Sequence, residues 1–355
     1  MSQAGKINDT VSPGSGAVLF LEGNTGGAVP PDGSGLIHVI GDGDTTVTGS
    51  PGTNTLTIDV TTYKQTTYTS ADTWTPDPNM KYAKIYIWSG GSGGGSGRCG
   101  ASGSAGGGGG GAAGGFSSFD VLHSNLQSAS YSVTIGAGGN GGLSINAINT
   151  DGNVGNVGGL SSVGVIVGPN ASTAGGTGGT TSTPGLGGNG FASLVSGTSF
   201  SRTTGQIVNS LTLGVGSGGY GGPNVTGLPG LSFNFASGTG GGSGSNYTST
   251  SPLTGGAGGS VLAGDNSTVL IAGGTGGANT GANGGNGNPA IAFELLIGGT
   301  GGGGGGMNGT VTAGSGGNGG IPSGGGGGGA GNLNSNPSGA GGNGARGQII
   351  ICEFF

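Results

Sequence analysis

The residues of this sequence that could carry chemistry are few and widely separated. His38 and His123 each have a carboxylate close by in the sequence, at Asp42 and Asp120 respectively. Neither histidine has a cysteine or a second histidine at the spacing of zinc ligands, so we expect no metal site. Each histidine is therefore interpreted as an ordinary polar residue of a strand.

Acidic residues and glycine motifs give no better support for catalysis. Glycoside hydrolysis needs two carboxylates in one place, and after residue 120 the sequence offers only Asp151, Asp265, Glu294 and Glu353. The many Gly-x-Gly-x-x-Gly matches follow from the glycine content, since none opens a helix after a strand. The one Gly-Lys pair, Gly5-Lys6, lacks the following Ser or Thr of a phosphate loop. The sequence predicts that the protein is not an enzyme and has no catalytic residue or cofactor.

Glycine dominates the composition, with 101 of 355 residues, against an ordinary usage of about 7%. Charged residues make up 6%, and the net charge of −6 includes only seven Lys and Arg. Because nucleic-acid binding requires clustered positive charge, we expect no nucleic-acid partner. The chain has no apolar run of 18 residues and no apolar signal at its start, which predicts neither membrane insertion nor a secretion signal.

Two cysteines, Cys99 and Cys352, are too few for a disulfide framework. We interpret them as reduced thiols of a protein that folds in cytoplasm. A single bridge between them is the alternative that the sequence leaves open.

The elements that could position binding residues are strands at both ends of the chain. Short strands are predicted at 16–22 and 36–40, and a hairpin at 45–48 and 53–60, whose alternating β-branched residues flank a Gly/Pro turn. Residues 81–88 alternate as a strand with one packed face, and Gln348–Phe354 form a closing strand. We expect 84–89 to pair with Gln348–Phe354, and 116–123 to pair with 131–135.

Between these strands, a unit of two glycines and one small residue recurs, as in 136–142, 314–320 and 339–344. A three-residue period matches an extended helix of the polyproline II type, with 3 residues per turn and no internal hydrogen bonds. The N–H and C=O groups of such helices must pair with neighbouring helices. The predicted fold is mainly β plus irregular structure, essentially without α-helix: N-terminal short strands, then a bundle of polyglycine II helices framed by strands.

Three domains are predicted: a β attachment or oligomerisation segment at 1–62, an aromatic-rich strand segment at 63–89, and the glycine-rich domain at 90–355. Connectors between glycine runs are expected at 143–151, 191–213, 220–235, 245–253, 261–271, 286–296 and 332–338. Because exposed loops on a rigid scaffold are where binding usually occurs, their aromatic and cationic residues are the candidates for receptor binding: Phe191, Phe200, Arg202, Tyr220, Phe233, Phe235, Tyr247 and Phe293. Filling of the bundle ends is the alternative role for these side chains.

Three places in the sequence resemble phage tail-fibre proteins and tail-fibre tip adhesins with a glycine-rich domain. They are the entry strand and glycine run at 84–95, the repeat at 132–142, and the closing strand at 342–355. Segments 23–29 and 54–58 are similar to the short β segments of trimeric viral fibres. The resemblance implies a virion receptor-binding protein that attaches to a host-surface glycan or outer-membrane protein. It also implies virion fibre or baseplate partners and a homo-oligomer, with a trimer favoured.

Two other functions stay open at this stage. A homopolymeric extracellular fibre or sheath would use 1–62 to pair with the next subunit, since head-to-tail contacts that do not close produce filaments. A polysaccharide depolymerase would need carboxylates that are scarce after residue 120.

Overall fold

The structure is a computed structural model that describes residues 21–22, 28–29, 45–50, 55–60, 63–101, 103–164, 166–167, 175–181, 183–188, 195–196, 209–213, 218–219, 226–234, 238–248, 253–263, 268–290, 297–308, 313–334 and 336–355. The chain forms two compact units. One contains Met1–Tyr63 with Phe355, and the other contains Lys64–Phe354.

The described strands of the first 60 residues form two antiparallel pairs. Strand β1 (Leu21–Glu22) pairs with β2 (Ala28–Val29), and β3 (Thr45–Ser50) pairs with β4 (Thr55–Val60). The predicted pairing of the two hairpin strands is therefore confirmed. The strand predicted at 36–40 lies outside the described residues.

The glycine-rich unit contains short strands and, among its described residues, a single helical turn of the 3-10 type at His123–Asn125. This agrees with the prediction of a mainly β and irregular fold. The strands are β5 (Tyr63–Tyr68), β6 (Asp72–Trp74), β7 (Tyr82–Trp88), β8 (Ser104–Ala105), β9 (Phe116–Leu122), β10 (Tyr131–Thr134), β11 (Ser162–Val163), β12 (Ile166–Val167), β13 (Val195–Ser196), β14 (Asn209–Leu213), β15 (Phe233–Asn234), β16 (Tyr247–Thr248), β17 (Val261–Leu262), β18 (Val269–Ile271) and β19 (Gln348–Phe354).

The largest sheet has six strands in the order β13-β14-β9-β7-β19-β5. Strand β7 alternates apolar and polar residues, and its Ala83, Ile85 and Ile87 are fully buried. Its antiparallel partner β19 joins it over the whole length, from Gln348 opposite Trp88 to Phe354 opposite Tyr82. The predicted pairing of 84–89 with Gln348–Phe354 is confirmed, and it joins the entry and exit of the glycine region.

The predicted pairing of 116–123 with 131–135 is wrong, although both segments are strands. Strand β9 lies between β7 and β14, so both of its edges are occupied. Strand β10 instead pairs with β6 and β11 in a separate four-stranded sheet. The ring of Tyr131 in β10 contacts that of Trp74 in β6, with centroids 5.6 Å apart. Sequence proximity favoured a local pairing, whereas strand edges and aromatic packing determined the partners.

Hydrogen bonds between glycine segments repeat every three residues. In segment 90–98, the N–H groups of residues 90, 93 and 96 donate to carbonyls in 153–159, those of 91, 94 and 97 to carbonyls in 339–345, and those of 92, 95 and 98 to carbonyls in 106–112. These bonds are 2.8–3.0 Å long, and each partner segment is antiparallel. The register requires three residues per turn, which confirms the period predicted from the sequence.

Segment 90–98 also accepts hydrogen bonds from three further segments. Donors lie at residues 139 and 142, at 176 and 179, and at 326, 329 and 332, and all three segments run parallel to 90–98. Three segments that accept and three that donate make six neighbours. A helix with six neighbours is the interior element of a hexagonal packing.

Five segments each have six neighbours by their hydrogen bonds and are therefore interior: 90–98, 106–115, 238–245, 298–306 and 323–332. The described glycine segments then lie in four layers. The first, outer layer contains 282–288, 314–320, 338–347 and 136–142, and the second contains 272–278, 298–306, 323–332, 90–98 and 152–160. The third layer contains 254–260, 238–245, 106–115 and 175–180. The fourth contains 227–231, 218–219 and 183–188. Segment 282–288 includes Asn286, so the connector predicted at 286–296 begins inside a lattice segment.

Burial follows the position of a segment in these layers. Every residue of the interior segments is buried, whereas in the outer segment 136–142 only every third residue, Gly136, Gly139 and Gly142, is buried. Ala137 and Asn140 of that segment are exposed. The unit of two glycines and one small residue therefore places bare backbone on the lattice side and a side chain on the open side.

Interior positions need glycine because neighbouring backbones leave no room for a side chain. A Cβ at Gly94 would overlap the carbonyl group of Gly327, and a Cβ at Gly327 would overlap that of Gly303. Some interior segments have a hydroxyl residue whose side chain bonds to a neighbouring segment, although the hydroxyls of Ser245 and Ser323 make no hydrogen bond within the described part of the chain. Ser96 Oγ accepts from the N–H of Asn153 at 2.7 Å, for example.

Candidate functional site

The glycine segments end at two opposite faces of the lattice. At the strand end, segments 90–98, 106–115 and 338–347 join β7, β9 and β19. The turn end includes residues 99–101, 103–105, 143–151, 278–281, 333–334 and 336–338. Loops at these two ends are the positions at which the sequence predicted receptor binding.

The structure describes the backbone at two of the eight predicted receptor-binding residues. Phe233 lies in β15, which follows segment 227–231 at the strand end and pairs in parallel with β17. Tyr247 lies in β16 and pairs with Ala105 of β8 at the turn end. The structure thus places these two residues at opposite ends of the lattice. The other six lie outside the described residues: Phe191, Phe200, Arg202, Tyr220, Phe235 and Phe293.

The loops of the turn end are bonded to one another. Cys99 and Thr150 exchange two backbone hydrogen bonds of 3.1 Å, and Arg98 forms an ion pair with Asp151. Asn149 Oδ1 accepts from the N–H of Ala101 at 3.1 Å. Arg98 is only 7% exposed, so the charge of this pair reaches solvent through Asp151. The turn end is therefore a supported surface on which individual loops are held by their neighbours.

The aromatic cluster at 63–89 is used for packing. Buried Glu353 accepts from Trp74 Nε1 at 3.3 Å and from the backbone N–H of Asp77 at 2.8 Å, and Lys64 Nζ lies 3.2 Å from its second oxygen. Burial, with the nearby carboxylates of Asp72 and Glu353, raises the pKa of Tyr68. A carboxylate with these partners serves to join 64–77 to the end of β19.

The centre of the large sheet is also a packed core. Trp88, Phe116, Ile350 and Cys352 form a buried cluster against which Tyr86 and Phe354 pack. Burial, assisted by Cys352, Asp120 and Tyr82, raises the pKa of Tyr86 to about 12. This phenol stays neutral at physiological pH and is a member of the core.

Chemical groups that could act together do not converge in the part of the chain described here. Within it, no three His, Cys, Asp or Glu side chains are grouped so that they could hold a metal ion. Asp120, the carboxylate near His123, pairs with Lys84 at 3.5 Å, while His38 and Asp42 are outside the described residues. Among the described residues, no helix is long and apolar enough to cross a membrane.

Both cysteines are free and buried, and no bridge joins them. Burial raises the pKa of the Cys99 and Cys352 thiols, and the nearby Arg98 and Lys84 only partly oppose this. We expect iodoacetamide at pH 8 to alkylate both thiols at least about 100-fold more slowly in the native protein than in guanidinium, because the thiolate reacts and the native chain must first open. Peptide mass spectrometry quantifies each thiol separately. Equal native and denatured rates for either thiol would contradict its burial.

The sequence-based search missed a row of asparagines on the first, outer layer. Asn286, Asn318, Asn343 and Asn140 lie in the four successive segments of that layer, and all are exposed. The N–H of Asn318 donates to Asn286 Oδ1, that of Asn343 to Asn318 Oδ1, and that of Gly141 to Asn343 Oδ1, at 2.8–2.9 Å. The four segments share the sequence Gly-Gly-Asn-Gly, at 138–141, 284–287, 316–319 and 341–344, although the same sequence also occurs at 187–190.

Comparison with known proteins gives one family. The family model described as a glycine-rich domain matches residues 64–352, which is most of the chain. No curated protein matches the sequence.

Proposed function

The chain belongs to the glycine-rich domain family, and from this premise we propose that it is a receptor-binding protein of a virion tail fibre. In this proposal the glycine lattice is the support, and its loops attach the particle to a host cell surface. The observation that carries the proposal is the interior of the lattice, which is built from backbone and leaves the larger side chains at its ends and outer faces.

A lattice of this kind is well suited to display. Its interior segments bond to six neighbours each, so a loop can change its sequence while the segments on either side stay in register. Loops held on a rigid support lose less conformational entropy when they bind, because they are ordered beforehand. The loops of the turn end are bonded to one another and are therefore ordered before binding. This favours them as a binding surface.

Three of the five Lys and Arg residues in the described part of the chain pair with carboxylates, which favours an uncharged receptor. Lys64, Lys84 and Arg98 pair with Glu353, Asp120 and Asp151 respectively. The partners we propose are a host glycan or outer-membrane protein, other virion fibre or baseplate proteins, and further copies of this chain, with a trimer favoured. Several copies on one particle would convert weak contacts into strong attachment through their high effective concentration.

The first test is to locate the protein on its parent particle. Gold-labelled antibodies against the glycine-rich unit are expected to mark tail fibres in electron micrographs.

The second test replaces 144–148 at the turn end by a short Gly-Ser linker. This replacement is expected to reduce adsorption to host cells by at least about tenfold, with an unchanged melting temperature. A matched replacement of 124–128 at the strand end serves as the control.

Two outcomes would reject the proposal. The first is the absence of label from the particles, and long filaments of the purified protein would then favour the homopolymeric fibre. The second is unchanged adsorption for every turn-end replacement, including 278–281 and 333–337 in addition to 144–148.

A further inference from the structure

We propose that the outer layer formed by 282–288, 314–320, 338–347 and 136–142 is a second binding surface, whose asparagine row binds a neutral polysaccharide. This inference rests on the proposed function, because it names the class of host-surface ligand. It places the contact on a side of the lattice and not on the loops at its ends. We call this surface the amide face.

The four segments of the amide face are neighbours in a single layer. Residues 284 and 287 donate to 315 and 318, residues 316 and 319 donate to 340 and 343, and residues 341 and 344 donate to 142 and 139. These registers bring Asn286, Asn318, Asn343 and Asn140 to the same height across the layer. Hexagonal packing keeps four consecutive segments of one layer coplanar, so the row is straight and the face is flat.

Each amide of the row is held in one orientation by the lattice. The Oδ1 atoms of Asn286, Asn318 and Asn343 accept hydrogen bonds from the backbone N–H groups of Asn318, Asn343 and Gly141, each on the next segment of the layer. A side-chain amide carries two N–H donors besides its oxygen. The Nδ2 groups of these three residues make no hydrogen bond to any described residue, and the residues are exposed.

These backbone N–H groups need an acceptor, but that need does not by itself explain why the residue at each position of the row is asparagine. One turn away, Ser315 Oγ accepts from the N–H of Ala340 at 3.3 Å, so a serine hydroxyl does the same work. Aspartate would offer the same acceptor. Asparagine in all four segments provides two uncharged N–H donors per side chain, whereas serine provides one O–H on a shorter side chain and aspartate provides none.

The surroundings of the row favour a neutral, hydroxyl-rich ligand. The neighbouring row on one side contains the apolar Leu143 and Ala340 together with the polar Asn283 and Ser315, and the row on the other side contains the apolar Ile321 and Ala137. The only charged side chain in these three rows is Arg346, which is partly buried and donates from Nη1 to the carbonyl oxygen of Gly347 at 2.9 Å. Sugars present hydroxyl groups at their edges and C–H groups on their faces, and a face of amides bordered by apolar residues complements both.

The expected strength of binding comes from repetition. One hydrogen bond contributes little net free energy in water, because it replaces a bond to water, so a single sugar would bind weakly. A polymer can engage several amides of the row together, and the fixed orientation of these amides limits the entropy lost on binding.

The test is electrophoresis of the full-length protein through native gels that contain dextran or mannan, both neutral polysaccharides. The test variant is N286D/N318D/N343D, which keeps every Oδ acceptor of the lattice and removes the Nδ2 donors. The control N79D/N125D/Q127E makes the same change of charge on residues away from the amide face. We expect dextran or mannan to slow the wild type and the control, and the dissociation constant of the test variant to rise at least tenfold.

A second variant, which adds no charge, is used in case the first variant does not fold. Circular dichroism checks the fold of both variants. N286S/N318S/N343S keeps an acceptor at each position, replaces two N–H donors by one O–H on a shorter side chain, and is expected to weaken binding as well. The inference is overturned if neither polysaccharide slows the wild type, or if both folded variants bind as the wild type does. Self-association that disappears in the variants, without polysaccharide binding, would overturn it in favour of an interface between copies of this chain.

These outcomes separate the inference from the proposed function. Gold label on tail fibres without polysaccharide binding leaves the proposed function standing and removes the amide face. Amide-dependent polysaccharide binding by a protein that is absent from particles does the opposite.

Discussion

Replacement of Gly327 by alanine is expected to lower the free energy of unfolding by about 3 kcal/mol or more, the upper range for overpacking a core. Gly327 is buried in an interior segment, donates to Gly317 O at 2.8 Å and accepts from Gly342 N at 2.7 Å. The new Cβ would overlap the carbonyl group of Gly303. Backbone cannot move aside as a flexible side chain can, so the segments must separate and lose hydrogen bonds on both sides.

Guanidinium unfolding followed by circular dichroism measures this effect. The control is A137S, which adds one atom at an exposed outward position of segment 136–142 and is expected to change stability by less than about 0.5 kcal/mol. Equal stability of G327A and wild type would show that the lattice tolerates a side chain in its interior, contrary to the close packing described above.

Replacement of Ile351 by alanine is expected to lower the free energy of unfolding by about 2–5 kcal/mol, the usual range for a buried isoleucine. Ile351 is 1% exposed and lies opposite Ile85, in the strand that has β7 on one side and β5 on the other. The buried side chains of this sheet, among them Ile85, Ile349 and Ile351, hold together the strands at the entry and exit of the glycine region.

The matched control is L143A, which removes similar volume from a side chain that is 76% exposed. It should change stability by less than about 0.5 kcal/mol. The two variants are compared by chemical unfolding at one pH. If I351A is as stable as L143A, with both close to the wild type, the core of the sheet does not stabilise the unit.

Parts of the fold were predictable because they depend on local pattern. The hairpin of β3 and β4 follows from β-branched alternation around a turn, and the pairing of β7 with β19 follows from apolar strands on both sides of the glycine region. The three-residue period follows from the glycine spacing, since only a threefold helix places two bare faces and one side-chain face in register.

Other parts depend on competition between segments that look alike. Strands β9 and β10 are close in sequence, yet they lie in different sheets because β7 and β14 occupy both edges of β9. The eight predicted receptor-binding residues were chosen by residue type and connector position, and Phe233 and Tyr247 lie at opposite ends of the lattice. Neither result can be read from a window of the sequence.

The sequence by itself determined the type of backbone structure in this protein, which is helices with three residues per turn framed by strands. Only the tertiary structure decided which segments are interior, which lie in the outer layer, and which side chains come to one height. The reason is that polyglycine helices bond through backbone groups, which are the same in every segment. Their partners are therefore chosen by the packing of the whole chain, and that choice aligns Asn286, Asn318, Asn343 and Asn140 on one face.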